Sequence, residues 1–333
     1  KILLSLSTEE VEAYNLQGES GFLGLLQNLL HQIHRCGQHI AQDSRQGTAE
    51  ESILINRWSE FRDQLCIVLD RLNSLLSVPM FVAVVSELLQ DADSHVRHLA
   101  LRQLSAKVEE EYESWGEEEV VVFLEMLNSL HGVISDDDEE DVNKQTALLC
   151  IDILARYMTV DGHKSDFAKV IPALTLVIGK TQEYVKANPS EAHSKVQLLS
   201  SACLCIGTLT RNIKELILAQ IPKFVPPLLA SFELLFADEA TIGSKEPIEK
   251  PAVLMQEAYS MLLESASTGL YAVVSTVPEF LSPYLPKLVS IMSFCFQGRD
   301  VFDNDLQENL VKTGEKIGDV LAVAVEPRLL HQP

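Results

Sequence analysis

The chain is poor in positive charge. It carries 26 Lys and Arg residues against 48 Asp and Glu residues, which gives a formal net charge of −22 at pH 7. Nucleic-acid binding depends on Lys and Arg side chains that neutralise phosphates. We therefore do not expect this segment as a whole to bind RNA or DNA directly, although a local basic patch is compatible with the composition. The negative field favours basic proteins as partners.

Long apolar runs and cysteine motifs are also missing. No apolar run approaches the roughly 18 residues that indicate a membrane-spanning helix, and the chain has no secretory signal pattern. We predict a soluble intracellular protein with no membrane partner. The cysteines have no Cys-x-x-Cys spacing, so we interpret them as small buried residues in a reducing compartment. They are Cys36, Cys66, Cys150, Cys203, Cys205 and Cys295.

The sequence contains no motif for catalysis or cofactor binding. Gly179-Lys180-Thr181 is like the end of a phosphate-binding loop, but Leu174 stands where that loop needs a glycine, and the stretch has a helical pattern. Cys203 and Cys205 lie two residues apart on a predicted helix, so their side chains point in different directions. We therefore predict that the protein is not an enzyme and has no cofactor.

A group of potential metal ligands lies close together near the start of the chain. His31, His34, Cys36 and His39 lie on one predicted helix. His31 and His34 can share a face of that helix, but Cys36 points elsewhere, and the sequence has no second ligand pair with zinc spacing. We predict surface or partly buried helix residues here and no metal site.

Residues 79–108 have the pattern of a complete helical hairpin. Pro79 suits a first helical turn, and Asp91-Ala92-Asp93-Ser94 is a turn and helix-cap sequence. Apolar residues recur at helical spacing on both sides of that turn. The two stripes are Phe81, Val84, Val85 and Leu88, and then Val96, Leu99, Ala100 and Leu104. A hairpin of this kind keeps apolar surface exposed and needs neighbouring hairpins to cover it.

The same segment resembles the HEAT repeat. The spacing is Asp91-x-Asp93-x-x-Val96-Arg97-x-x-Ala100-x-x-x-Leu104. In that family the aspartates lie in the turn between two helices and the Val-Arg pair opens the second helix. The resemblance implies that Asp91, Asp93 and Arg97 set the stacking of neighbouring repeats.

The start of this hairpin recurs twice along the chain. The copies are Val78-Pro79-Met80-Phe81-Val82, Ile221-Pro222-Lys223-Phe224-Val225 and Val277-Pro278-Glu279-Phe280-Leu281. In each copy we expect the Pro to start the first helix of a pair and the Phe to anchor that helix to the preceding unit.

These repeats predict an all-α fold. It is an α-solenoid of irregular HEAT-like helical hairpins that runs as one continuous array over residues 1–333. We expect about six pairs, at 21–76, 79–108, 117–158, 165–213, 222–276 and 279–325. Lys1 is not an initiator Met, so we also expect the chain to be a fragment of a longer repeat protein.

Two acidic runs are the strongest polar features. The first lies within 109–119 and ends in Glu117, Glu118 and Glu119, and the second is Asp136, Asp137, Asp138, Glu139, Glu140 and Asp141. Such runs are commonly solvated loops that keep a protein soluble, and that interpretation stays open. The alternative is that they form docking surfaces for a basic partner, which a double charge reversal at Asp137 and Glu140 would test.

Three stretches resemble one HEAT-repeat family more closely. They are Leu89-Gln-Asp-Ala-Asp-Ser-His-Val-Arg97, Leu198-Leu-Ser-Ser-Ala-Cys-Leu-Cys-Ile-Gly-Thr-Leu209 and Ile221-Pro-Lys-Phe-Val-Pro-Pro-Leu-Leu229. They are similar to the large nucleolar HEAT-repeat scaffolds of the small-subunit processome, which are associated with the U-three small nucleolar RNA.

The resemblance implies a non-catalytic scaffold in the nucleus and nucleolus. It would support ribosomal RNA transcription and small-subunit rRNA processing, with other proteins of a large ribonucleoprotein assembly as partners. Two other HEAT-repeat functions stay open. One is a nuclear transport receptor for basic cargo, and the other is a regulatory subunit of a kinase or phosphatase.

Overall fold

A computed structural model describes residues 19–44, 49–157, 161–236, 253–296 and 304–324. Within these ranges the chain forms helices and short turns and no strand, so the predicted all-α class with irregular HEAT-like hairpins is confirmed. The chain divides into two compact units, Lys1–Ser129 and Leu130–Pro333. The single continuous array over 1–333 stays a prediction. None of the described helices is long and apolar enough to cross a membrane.

The first unit consists of two helical hairpins and a short fifth helix. Its helices are α1 (Glu19–Asp43), α2 (Ala49–Leu75), α3 (Val78–Leu88), α4 (Ser94–Glu111) and α5 (Glu117–Leu124). Helices α1 and α2 pack as one pair and α3 and α4 as the next, while α3 also contacts α1 and α5. The core between them is formed by fully buried residues, among them Leu30, Leu72, Phe81, Leu101, Leu104 and Phe123.

The second unit continues the same construction. After α6 (Met126–Ser135), which crosses the division, come α7 (Asp141–Tyr157), α8 (Lys164–Ala168), α9 (Ile171–Ala187), α10 (His193–Ile213), α11 (Ile221–Phe236), α12 (Val253–Thr276), α13 (Leu285–Phe296) and α14 (Asn304–Ala324). The first helices of successive pairs contact one another in the order α9, α11, α13, and the second helices in the order α7, α10, α12, α14. Two layers of this kind are typical of α-helical repeats.

Some predicted helices are interrupted in the structure. The helix predicted to start the fourth pair divides into α8 and α9, with Pro172 in the first turn of α9, where its missing N–H is not needed. The start of the third pair divides at Glu125, between α5 and α6. The start of the sixth pair is a 3-10 helix over Pro278–Tyr284 that leads into α13.

In the third copy of the Pro-x-Phe pattern, the Phe is not buried, so the prediction that it anchors the helix is wrong there. Phe81 and Phe224 are buried as expected, with 1% and 0% of their surface exposed, but Phe280 is 51% exposed. The reason is the 3-10 helix, which has three residues per turn and therefore turns a different residue towards the core than an α-helix would. Leu281 is the residue buried there.

Helices α10 and α12 approach each other through two glycines. A Cβ atom added to Gly269 would lie 2.4 Å from the backbone oxygen of Cys203, and one added to Gly207 would lie 2.7 Å from Cα of Gly269. Both distances are well inside van der Waals contact. The two helix backbones therefore touch at a place that only glycine permits.

We expect Gly269→Ala to destabilise the protein by about 1–3 kcal/mol or more, because the added methyl group must push the two backbones apart. Gly179→Ala is the matched control. Gly179 lies inside α9 with nothing within 4 Å of its added Cβ, so alanine there should be neutral or stabilise by up to about 1 kcal/mol. Urea unfolding measures both changes. Equal changes in the two variants would show that the backbones do not touch at Gly269.

Candidate functional site

Asp91 joins the turn between α3 and α4 to helix α1. Its Oδ1 accepts a hydrogen bond from the backbone N–H of Asp93 at 2.8 Å, and its Oδ2 accepts one from Nε2 of Gln27 on α1 at 2.6 Å. Arg97 donates from Nη1 to the backbone oxygen of Asp91 at 2.6 Å. These bonds agree with the stacking role that the HEAT resemblance implies, because Asp91 binds both its own turn and the preceding hairpin.

Four side chains meet where this turn faces α1, and we call them the His–Asp cluster: His31, His34, Asp93 and His95. Nδ1 of His31 lies 3.4 Å from Oδ2 of Asp93, and the rings of His34 and His95 are 3.9 Å apart between centroids. His34, Asp93 and His95 each offer one potential ligand atom, and those three atoms lie within 4.8 Å of one another. The cluster lies wholly within the first unit.

The electrostatics of the cluster favour an anion beside a neutral base. Partial burial lowers the pKa of His34, and the neighbouring His95 and His31 lower it further, against the opposing effect of Asp93. Partial burial alone would raise the pKa of Asp93. The hydrogen bond from the backbone N–H of His95 and the three nearby imidazoles outweigh this effect of burial and lower the pKa of Asp93 overall. The cluster therefore combines a carboxylate with a histidine held towards its neutral form.

The sequence did not reveal this cluster because its members come from two distant segments. The sequence places His31, His34, Cys36 and His39 together on one helix. The structure separates the last two, since Cys36 is buried and His39 stacks on Trp58 with 4.4 Å between ring centroids. The partners of His34 come from the HEAT-like turn instead. The sequence feature that could have predicted the cluster is this turn, because the hairpin that contains it must pack against the preceding helix.

The second acidic run is partly used inside the second unit. Asp137 accepts hydrogen bonds from Nζ of Lys180 at 2.5 and 2.8 Å, which lowers the pKa of the Asp137 carboxyl. Asp141 accepts from Nζ of Lys195 at 2.7 Å and from the Ser194 hydroxyl at 3.0 Å. This loop is therefore bonded to the helices that follow it.

The remaining residues of that run differ in exposure. Glu139 is buried, and its Oε1 accepts from Nδ2 of Asn143 at 2.8 Å. Asp136, Asp138 and Glu140 are exposed, and Oδ1 of Asp136 accepts the backbone N–H of Asp138 at 3.0 Å. The charge reversal at Asp137 and Glu140 would thus place a lysine against Lys180, and would test an internal ion pair as well as a docking surface.

The first acidic run ends in the first turn of α5. Glu117 and Glu118 are exposed, and Glu119 accepts the backbone N–H of Gly116 at 2.9 Å. Carboxylates at a helix N-terminus interact favourably with the helix dipole. In the described part of the chain, neither Glu117 nor Glu118 forms an ion pair with a basic side chain. These two keep their charge available to solvent or to a partner.

A groove in the second unit carries no strong charge of either sign. It has a volume of about 480 Å³, and its charged lining consists of Arg211, Lys214, Glu215 and Glu279. Two basic and two acidic side chains offset each other. The local basic patch that composition leaves open is therefore not formed in this groove.

The described cysteines suit packing and not catalysis. Five of the six are buried, and Cys66 is half-buried. Burial raises the pKa of the Cys203 thiol to about 12 and that of Cys295 to about 11. A reactive cysteine needs a lowered pKa, because the thiolate is the nucleophile. These residues agree with the interpretation of cysteine as a small buried side chain.

The fold and these surfaces define a HEAT-like helical repeat protein. Along its length the chain is similar to HEAT repeat-containing protein 1 and its homologues, which confirms the predicted resemblance. It is 27% identical over 319 residues to the homolog from Dictyostelium discoideum, covering 94% of this chain and 13% of that protein. It is 25% identical over 312 residues to the protein from Homo sapiens, covering 92% of this chain and 13% of that protein.

A fungal relative carries a different name. The chain is 28% identical over 174 residues to U3 small nucleolar RNA-associated protein 10 of Pyricularia oryzae, which covers 52% of this chain and 9% of that protein. No protein-family model matches the chain. The chain thus spans only a small part of each of these relatives, 13% at most.

We expect Asp91→Ala to lower the free energy of unfolding by about 1–3 kcal/mol, because it leaves the N–H of Asp93 and the amide of Gln27 without their acceptor. Asp91→Asn is the matched comparison. It keeps one oxygen for Asp93 and should cost less than the alanine variant. Urea unfolding of both variants measures the difference. Identical losses would mean that the hydrogen bonds of Asp91 do not hold the turn.

Proposed function

We propose that this chain is part of a non-catalytic protein-interaction scaffold in ribosome biogenesis, acting in the small-subunit processome of the nucleolus. The observation that carries the proposal is the similarity to HEAT repeat-containing protein 1, which extends along 94% of the chain in one relative. The name of the fungal relative refers to U3 small nucleolar RNA, and this supports the small-subunit processome as the assembly in which the proposed scaffold works.

The described side chains suit a scaffold. A scaffold must present fixed surfaces, and the two layers of packed helices in the second unit provide them. Two buried carboxylates of the second unit make structural contacts. Glu139 accepts from Asn143, and Asp152 on α7 pairs with Arg156 one turn later.

The acidic loop after α6 is the surface we propose for a basic partner. Its ion pairs to Lys180 and Lys195 fix the loop to α9 and α10. That attachment holds the exposed carboxylates of Asp136 and Asp138 in place. A preorganised charged surface gains specificity and association rate from complementary charge on the partner. Glu117 and Glu118 form a second, smaller acidic surface on the first unit.

A charge variant that leaves the loop's ion pairs intact tests this surface. In Asp136→Asn with Asp138→Lys, the asparagine keeps an acceptor for the Asp138 N–H, and Asp137 and Asp141 keep their lysines. The control, Glu264→Gln with Asp319→Lys, makes the same change in charge at two exposed positions of the second unit. Each variant is introduced into the full-length protein, which is then purified with its bound proteins from nucleolar extract.

We expect the loop variant to retain less of its basic partners than the control does. The difference between the two variants should shrink as salt is raised, because salt screens exposed charges. Quantitative mass spectrometry of the captured proteins measures this. Equal capture by the loop variant and the control would show that the loop is a solvated acidic segment and not a docking surface.

A further inference from the structure

We propose that His34, Asp93 and His95 bind a divalent transition-metal ion, and that Zn²⁺ is the ion these ligands fit best. The site joins helix α1 to the turn of the next hairpin. Nothing in it depends on the proposed role in ribosome biogenesis.

The ligand set has the chemistry of a zinc site. Two imidazole nitrogens and one carboxylate are ligands that Zn²⁺ uses with bonds of about 2.0–2.2 Å. Mg²⁺ and Ca²⁺ prefer oxygen ligands throughout, so two histidines disfavour them. Three protein ligands leave the fourth tetrahedral position to water.

The distances allow this coordination after small side-chain movements. The three ligand atoms lie within 4.8 Å of one another, whereas ligands on a tetrahedral zinc ion are about 3.3–3.5 Å apart for such bond lengths. Rotation of side-chain torsions can close this difference, because His95 is exposed to solvent and His34 only half-buried.

Neighbouring groups hold two of the proposed ligands, Asp93 and His34, in place. The carboxylate of Asp93 caps helix α4, since its Oδ1 accepts the His95 N–H at 3.0 Å, and His31 lies 3.4 Å from its other oxygen. Gln38 lies 2.7 Å from Nε2 of His34. Metal-binding residues typically have outer partners of this kind, which fix the orientation of the ligand.

The position of the site gives the ion a structural consequence. His34 belongs to α1, while Asp93 and His95 belong to the start of α4. An ion held by all three would link two hairpins that otherwise meet here through Asp91 and Gln27. The net charge of −22 also raises the local concentration of cations near the surface. Bound metal should therefore stabilise the folded first unit, because the unfolded chain does not bring these ligands together.

Calorimetric titration of Zn²⁺ into the full chain, free of affinity tags, tests the proposal. The variant is His34→Gln with His95→Gln. The control is His39→Gln with His131→Gln, which removes the same number of imidazoles outside the cluster. Thermal unfolding with and without Zn²⁺ is followed in parallel, and the visible absorption bands of Co²⁺ report nitrogen and oxygen coordination directly.

We expect wild type and control to bind one Zn²⁺ ion and to unfold at a higher temperature with it. The cluster variant should bind at least about tenfold more weakly, since losing even an outer partner typically costs that much, and should lose the Co²⁺ bands. The single variant His95→Gln, at an exposed position, keeps the test valid if the double variant folds poorly. Zinc binding of equal strength in wild type and His95→Gln, or no binding by wild type, would overturn the proposal.

Discussion

Each hairpin in this chain leaves an apolar face that only a neighbouring hairpin can cover, and the rest of the structure depends on that constraint. Helix α10 shows it most clearly, because it contacts α7, α9 and α12 and is buried along most of its length. The constraint also explains the contact between Gly207 and Gly269, where two backbones meet directly. Polar groups then fix the arrangement, as Asp91 does for α1 and Asn212 does through its bond to the backbone of Ala155.

Local signals in the sequence predicted the fold well. The hairpin at 79–108 appears as α3 and α4, with Pro79 in the first turn and Asp93 as the cap, because periodicity, proline and capping act over a few residues. The same reasoning was wrong at Phe280, where a 3-10 helix changes which residue faces the core. It could not find the His–Asp cluster or the Asp137–Lys180 pair. Both join segments that are far apart in sequence, and only tertiary packing decides which side chains meet.

The acidic composition therefore has several physical roles. Asp137 and Asp141 hold a loop against the helices that follow it, Glu119 caps α5, and Asp91 and Asp93 organise a turn. Other carboxylates of the two acidic runs, among them Asp136, Asp138, Glu117 and Glu118, are exposed, and these are the ones that the proposed docking surfaces use. Under the proposed function, specificity comes from where a few exposed charges are held, and the net charge mainly affects which partners approach.

The most direct measurement is the sedimentation of the tagged full-length protein in gradients of nuclear extract, with U-three small nucleolar RNA measured across the fractions. A scaffold of the small-subunit processome should sediment in the fast fractions that contain that RNA. It should leave them when the particles are disrupted by high salt. Sedimentation in light fractions apart from the RNA, together with staining of the nuclear envelope and cargo release by Ran, would contradict the proposed function and favour a transport receptor.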